Sequence, residues 1–143
     1  MIDFPINLVL LSDIYRLNIF RRFCLTYKDI FEKCKIFTVC PVEREIRRAI
    51  NLEAIALFSL EDGGITQLRA RVYYNEVDLL FFFRGIVDNE ICCKQENKLF
   101  TTCDINNVPY ATNIATAEIL MSAFLKGKLD ENIKVRHKRR EVV

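Results

Sequence analysis

Short apolar runs alternate along this chain with longer segments in which apolar residues recur at the spacing of a helix. The apolar runs predict five strands, at residues 7–11, 35–39, 54–58, 79–83 and 109–112. The fourth run is apolar at every position, which is typical of a central parallel strand buried on both faces. Strands that alternate with helices predict an α/β fold, a Rossmann-like three-layer α/β/α sandwich around a five-stranded parallel sheet.

Helical spacing fills the segments between these strands. A helix over residues 14–33, with Asp13 as its N-cap, follows from apolar residues that recur near a period of 3.6. Further helices are predicted at residues 42–50, 65–75, 94–105 and 115–125. Residues 85–92 are predicted to form a loop.

The composition limits the classes of protein that this chain can represent. Its 143 residues, 51% of them hydrophobic, suffice for one well-buried domain, and a net charge of +2 shows no global bias toward nucleic acid. The longest apolar runs, residues 8–11 and 79–83, are far below the roughly 20 residues that cross a bilayer. Asp3 and Pro5 stand where a leader would need a basic region and an apolar core, so we expect a cytoplasmic protein with no membrane partner.

Positive charge is concentrated at the end of the chain. We expect one domain over residues 1–127 and a basic tail over residues 128–143, which is either disordered or docked on a neighbouring subunit. The tail is most simply a solubilising segment, although its cations could also make salt-sensitive contacts with nucleic acid. These cations are Lys134, Arg136, Lys138, Arg139 and Arg140.

The six cysteines do not indicate a metal site or a redox site. No pair has CxxC spacing, and the only histidine, His137, lies in the basic tail. We therefore predict buried free thiols in a reducing compartment, no metal and no cofactor.

Three segments carry a more specific signal. They are residues 62–67 (Asp-Gly-Gly-Ile-Thr-Gln), residues 78–84 (Asp-Leu-Leu-Phe-Phe-Phe-Arg) and residues 108–118 (Val-Pro-Tyr-Ala-Thr-Asn-Ile-Ala-Thr-Ala-Glu). In order and spacing they resemble the methylglyoxal synthase family, whose enzymes release phosphate from dihydroxyacetone phosphate. The resemblance covers roughly residues 6–126 and implies the strand order 3-2-1-4-5. It also implies a small phosphorylated or anionic ligand and a homo-oligomer, in the family a hexamer.

In open sheets of this type the ligand lies beyond the carboxyl ends of the strands, where the strand order reverses. With the implied order, the reversal falls between the first and fourth strands. The rim of the expected pocket then comprises residues 12–13, 40–43, 59–65, 84–88 and 112–116.

The residues that the resemblance assigns to catalysis are mostly absent from this chain. The family's base is the aspartate directly after the paired glycines, where this sequence has Ile65. A second family aspartate is replaced by Arg84, and a family histidine is matched only by Ile91 or Cys92. The family's phosphate loop is replaced by residues 40–43 (Cys-Pro-Val-Glu), in which a proline removes one N–H donor and a glutamate adds negative charge.

Several pocket residues remain as ligand-binding candidates. They are Ser59, Gly63, Gly64, Arg84, Thr112, Asn113 and Thr116. Thr112 or Asn113 has an alternative role as the cap of the last predicted helix. Arg84 either clamps an anion or forms a salt bridge with Asp13, Asp62 or Asp88.

Two hypotheses of function follow from this pattern. The first is a catalytically inactive methylglyoxal synthase-like protein that binds a small anion or serves as an oligomeric scaffold. The alternative is an active lyase of this class in which Asp62 or Asp88 has become the base.

Overall fold

A five-stranded parallel sheet forms the centre of the computed structural model, which describes residues 5–85 and 90–142, with side chains described for residues 5–85 and 93–139. The strands are β1 (Asn7–Ser12), β2 (Lys35–Val39), β3 (Ile55–Leu57), β4 (Leu79–Phe83) and β5 (Tyr110–Ala111). Their order is β3-β2-β1-β4-β5, and all neighbours are parallel. The predicted fold class and the implied strand order are both confirmed.

Seven α-helices connect or follow the described strands. They are α1 (Leu17–Thr26), α2 (Lys28–Phe31), α3 (Val42–Ile50), α4 (Gly64–Tyr73), α5 (Glu90–Ile105), α6 (Ile114–Leu125) and α7 (Asp130–Val142). The single helix expected over residues 14–33 is instead a 3-10 turn (Ile14–Arg16) followed by α1 and α2. The helix breaks at Tyr27, whose backbone (φ −109°, ψ 19°) leaves the α-helical region.

Aromatic side chains of β4 fill the core on both faces of the sheet. Phe81 and Phe83 each lie 5.1 Å, centroid to centroid, from Phe23 of α1. Phe82 points the other way and contacts Phe100 of α5 at 6.0 Å. This alternation explains why β4 is apolar at every position, since helices cover each face.

The basic segment at the end of the chain is helical over its described residues. It forms α7, which packs on its own chain through Ile133, Arg136 and His137, all buried. The run of basic residues predicted a solvated segment, because the local sequence does not show that a buried acid elsewhere in the chain pairs with one of them. Because they are buried, Arg136 and His137 are not available for a surface contact with nucleic acid. Lys134, Lys138 and Arg139 are exposed.

Other expectations concern cysteines, metals and membranes. Cys24, Cys34, Cys40 and Cys103 carry free thiols, and Cys24 and Cys103 are buried. Within residues 5–85 and 90–142, no group of three His, Cys, Asp or Glu side chains is placed to hold a metal ion. None of the described helices has the length and apolar character needed to span a bilayer.

Candidate functional site

A cleft of about 520 Å³ opens at the carboxyl ends of β1, β2 and β3. It lies at this edge because parallel strands end on the same side of the sheet, so the residues after each strand meet. β1 contributes Ser12 and the following Asp13, β2 contributes Val39 and Cys40, and the segment after β3 contributes Ser59. The first three predicted rim segments therefore contribute to one cleft.

Asp13 is held at the boundary between β1 and β4. Its backbone N–H donates to the Phe83 carbonyl at 2.9 Å, which extends the pairing of the two strands by one residue. Its side-chain Oδ1 accepts the Tyr15 N–H at 2.9 Å, so it caps the 3-10 turn that follows. The predicted N-cap is confirmed, although it begins this turn and not a long helix.

The cleft is apolar on its walls and acidic at its charged positions. Leu17, Val39 and Val42 are among the apolar lining residues, and the charged ones are Asp13, Glu45 and Glu61. No Lys, Arg or His is among the described lining residues. Unlike a phosphate site, this cleft presents negative charge to its ligand.

The three carboxylates differ in their partners. Glu45 is paired with Arg21, whose Nη2 lies 2.7 Å from Oε2. Asp13 and Glu61 form no ion pair with any described residue, and Glu61 is exposed. The charge of Glu45, on α3, is therefore neutralised, whereas the charges of Asp13, after β1, and Glu61, after β3, are not.

The paired glycines hold the segment after β3 close to the start of α4. Gly63 has φ +108°, a left-handed conformation that glycine adopts without strain. A Cβ on Gly64 would lie 2.2 Å from the Phe58 carbonyl oxygen, so the close approach of strand end and helix excludes any side chain there. Neither glycine lines the cleft, whereas Ser59 does.

Asp62 and Ile65 flank these glycines and have different environments. The Asp62 carboxylate accepts the Ser59 hydroxyl at 2.7 Å and is not among the lining residues of the cleft. Ile65 is 4% exposed and belongs to the hydrophobic core in the first turn of α4. The other proposed base, Asp88, lies outside the described residues.

Arg84 faces α5 and not the cleft. Its Nη2 lies 2.8 Å from Glu96 Oε2, and its guanidinium lies 5.1 Å from the centre of the Phe100 ring. The expected ion-pair partners Asp13 and Asp62 are therefore wrong. Sequence reasoning missed Glu96 because it stands in the polar stretch Lys-Gln-Glu-Asn-Lys, where nothing distinguishes one buried acid.

The segment from Thr112 to Thr116 lies beside Arg84, away from Ser59. The Thr112 carbonyl accepts the Arg84 N–H at 3.3 Å, next to the end of β4. Asn113 Oδ1 accepts the Thr116 N–H at 3.0 Å and thereby caps α6. The structure thus separates three groups of predicted ligand residues: Ser59 lies in the cleft, Gly63 and Gly64 lie at the start of α4, and the others lie at the ends of β4 and β5.

Five cleft residues lie outside the predicted rim, and two of them, Tyr15 and Glu45, carry polar groups. Glu45 lies one turn after Val42 on α3, and the i, i+3 spacing brings both side chains to the cleft. Tyr15 also lines the cleft and remains 77% exposed. The helical period could have indicated Glu45, whereas Tyr15 falls in the first turn of the predicted helix 14–33, and α1 begins only at Leu17.

Comparison with known proteins gives a consistent result. No protein-family profile matches the chain. The methylglyoxal synthase of Thermoanaerobacter sp. is 31% identical over 124 residues, which cover 87% of this chain and 94% of that protein. The methylglyoxal synthase of Bacillus mycoides is 35% identical over 108 residues, covering 76% and 82% of the two chains.

A solved structure supports the same assignment at the level of the fold. The crystal structure of methylglyoxal synthase from Elizabethkingia anophelis superposes with a TM-score of 0.72 at 18% identity, covering 82% of this chain and 78% of that one. Extended identity above 30% and a shared fold lead to one conclusion: this chain belongs to the methylglyoxal synthase family.

Proposed function

We propose that this chain is a non-catalytic member of the methylglyoxal synthase family that acts by binding and assembly. The observation that carries this proposal is Ile65. The family resemblance assigns the catalytic base to this position, and here a hydrocarbon side chain is buried in the core. Formation of an enediolate needs a group that removes a carbon-bound proton, and isoleucine has none to offer.

The charge of the cleft also supports a loss of the lyase reaction. A phosphorylated substrate needs N–H donors or cations. In the segment after β2, Pro41 has no backbone N–H and Val42 has no polar side-chain group. Asp13 and Glu61 carry like charge to a phosphate dianion. Their repulsion would weaken the binding of the family substrate.

An assembly role is supported by α6. This 12-residue helix carries a single charged side chain, Glu118, and exposes Ile119 (71%) and Leu125 (53%). A helix that is apolar on both sides is normally covered on both sides. The uncovered face supports a homo-oligomer, for which the family resemblance implies a hexamer.

The lyase reaction is tested by phosphate release from dihydroxyacetone phosphate, with wild-type protein beside Ile65→Asp and Ile65→Val variants. We expect no release by the wild type or by Ile65→Val. Turnover by the wild type above a mock preparation would contradict the proposal, and loss of that turnover in Asp62→Asn or Asp88→Asn would establish the relocated base. Turnover by Ile65→Asp alone, in a variant that still unfolds cooperatively, would show that only the base is missing.

The assembly role is tested by light scattering on eluting protein. We expect the wild type to be larger than a monomer and Ile119→Asp to reduce the mass. Ile105→Asp is a matched control, because Ile105 is 73% exposed at the end of a different helix. A monomeric wild-type protein would contradict the assembly proposal.

The compartment is a further part of the proposal. Cys24, Cys34, Cys40 and Cys103 carry free thiols. Free thiols persist where glutathione and thioredoxin keep them reduced, which supports a cytoplasmic location. Fractionation of cells that express the native chain tests this assignment, and recovery in an oxidising compartment would contradict it.

A further inference from the structure

The cleft at the carboxyl ends of β1, β2 and β3 has the size and walls of a small-molecule site. Its volume of about 520 Å³ lies inside the range of roughly 300–1,000 Å³ that is typical of ligand pockets. Apolar side chains such as Leu17, Val39 and Val42 form much of its surface. Such walls suit the apolar body of a ligand, and the few polar groups then select its charge.

The polar groups of this cleft select a positive charge. Asp13 Oδ2 accepts no hydrogen bond from a described residue, and Glu61 forms no ion pair within the described chain. Arg21 neutralises Glu45 from outside the cleft. An anion would meet unneutralised carboxylates, whereas a cation would find acceptors.

The same geometry argues against a metal ion as the positively charged ligand. Calcium and magnesium need about six oxygen ligands around one point. Within the described residues, no three His, Cys, Asp or Glu side chains converge on such a point, the three cleft acids included. The cleft therefore fits an organic cation better than a metal ion.

Tyr15 adds a surface that suits an organic cation. Tyr15 lines the cleft and is 77% exposed, so its ring is accessible to a ligand. An ammonium or guanidinium group over a tyrosine ring is attracted by the negative face of the ring. Carboxylates, apolar walls and an accessible aromatic ring thus favour the same ligand class.

We propose that this cleft binds a small organic cation, an amine with an apolar body, in place of the phosphorylated anion of the family. The proposal rests on the proposed function, because a cleft rebuilt for a cation no longer holds the substrate of the lyase. Asp13 and Glu61 supply the charge that recognises the amine, and Leu17, Val39 and Val42 contact its apolar part.

The experiment is a titration of the full chain followed by backbone amide NMR, with three probes. Protonated 2-phenylethylamine is the cation, 3-phenylpropionate is its charge-reversed counterpart, and dihydroxyacetone phosphate is the family substrate. We expect only the amine to give saturable shifts, centred on Ser12, Cys40 and Ser59. No saturable binding of the amine, or equal binding of 3-phenylpropionate, would overturn the proposal.

Variants test the role of the carboxylates. Asp13→Asn and Glu61→Gln keep the size of each side chain and remove its charge, and each should weaken amine binding about threefold to fivefold. Glu32→Gln is the matched control, because Glu32 is exposed and precedes β2 at the opposite edge of the sheet. Unchanged affinity in both Asp13→Asn and Glu61→Gln would overturn the assignment.

The outcome for the ligand is separable from the outcome for the reaction. Phosphate release is measured on the same preparation. Turnover of dihydroxyacetone phosphate contradicts the non-catalytic function. An absence of turnover together with an absence of amine binding overturns the ligand assignment alone.

Discussion

Arg136 and Asp78 form an ion pair in the interior of the protein, with Nη1 3.3 Å from Oδ1 and each side chain only 1% exposed. Arg136 also donates to the carbonyls of Val77 and Asp78 at 2.7 and 3.0 Å. Asp78 Oδ2 in turn accepts the N–H of Asn7, the first residue of β1, at 2.8 Å. The pair therefore joins α7 to the amino ends of β1 and β4, opposite the cleft.

Removal of Asp78 should destabilise the protein severely. Asp78→Ala leaves the guanidinium of Arg136 buried without its carboxylate, which costs about 3–5 kcal/mol. Urea unfolding measures the loss, with Asp29→Ala as a control at an exposed acid. The double variant Asp78→Leu/Arg136→Met should recover part of the loss, because it removes both charges. A loss below about 1 kcal/mol in Asp78→Ala would show that the pair is unimportant.

The apolar packing of α7 should contribute as much to the free energy of unfolding as its buried ion pair does. Ile133 is 0% exposed, and Ile133→Ala should lower the free energy of unfolding by about 2–5 kcal/mol. Val135, two residues later, is 40% exposed, and Val135→Ala should change it by less than about 0.5 kcal/mol. Equal effects in the two variants would mean that α7 does not dock as described.

Gly64 should not tolerate a side chain. A Cβ there would lie 2.2 Å from a backbone carbonyl oxygen, which cannot move without shifting the end of β3. Gly64→Ala should cost about 1–3 kcal/mol in thermal or urea unfolding. Thr66→Ala, at an exposed site on the same helix, should be close to neutral. A neutral Gly64→Ala would contradict this close approach.

The cysteines should differ sharply in reactivity with a thiol reagent at pH 8. The thiolate is the reactive form, and burial raises the pKa of Cys24 and Cys103 to about 12. Cys40 is exposed at the rim of the cleft and should be labelled first. Mass spectrometry of peptides locates the label, and Cys40→Ser is the control. Labelling of Cys24 before Cys40 in folded protein would contradict the structure.

Alkaline pH should destabilise the protein through Cys24. Burial raises its pKa from 9.0 to about 12, so the folded state favours the neutral thiol. This stabilisation is fully present below pH 9 and is lost as pH rises toward 12, by about 1.4 kcal/mol per pH unit. Unfolding by urea at several pH values should show a shallower decline in Cys24→Ala than in wild type. Cys40→Ala, at an exposed thiol, should leave the slope unchanged.

The cleft was only partly predictable. Asp13 and Ser59 follow predicted strands, so their place at the carboxyl edge was expected from the topology. The ion-pair partner of Arg84 was not predictable, because the choice among Asp13, Asp62 and Glu96 depends on how α5 lies against the sheet. Side-chain pairing across helices and strands leaves no local pattern in the chain.

The sequence by itself determined the strands, the approximate positions of most helices between them and the family, because hydrophobic spacing and turn residues act over short stretches of chain. The apolar run at β4 predicted a central strand, and the turn at Thr112–Thr116 predicted the start of α6. Only the tertiary structure decided that Arg136 is buried, since its partner Asp78 lies 58 residues away and a run of basic residues locally indicates solvent. The charge of the cleft was likewise decided in three dimensions, because Asp13, Glu45 and Glu61 meet only when three strands end at one edge.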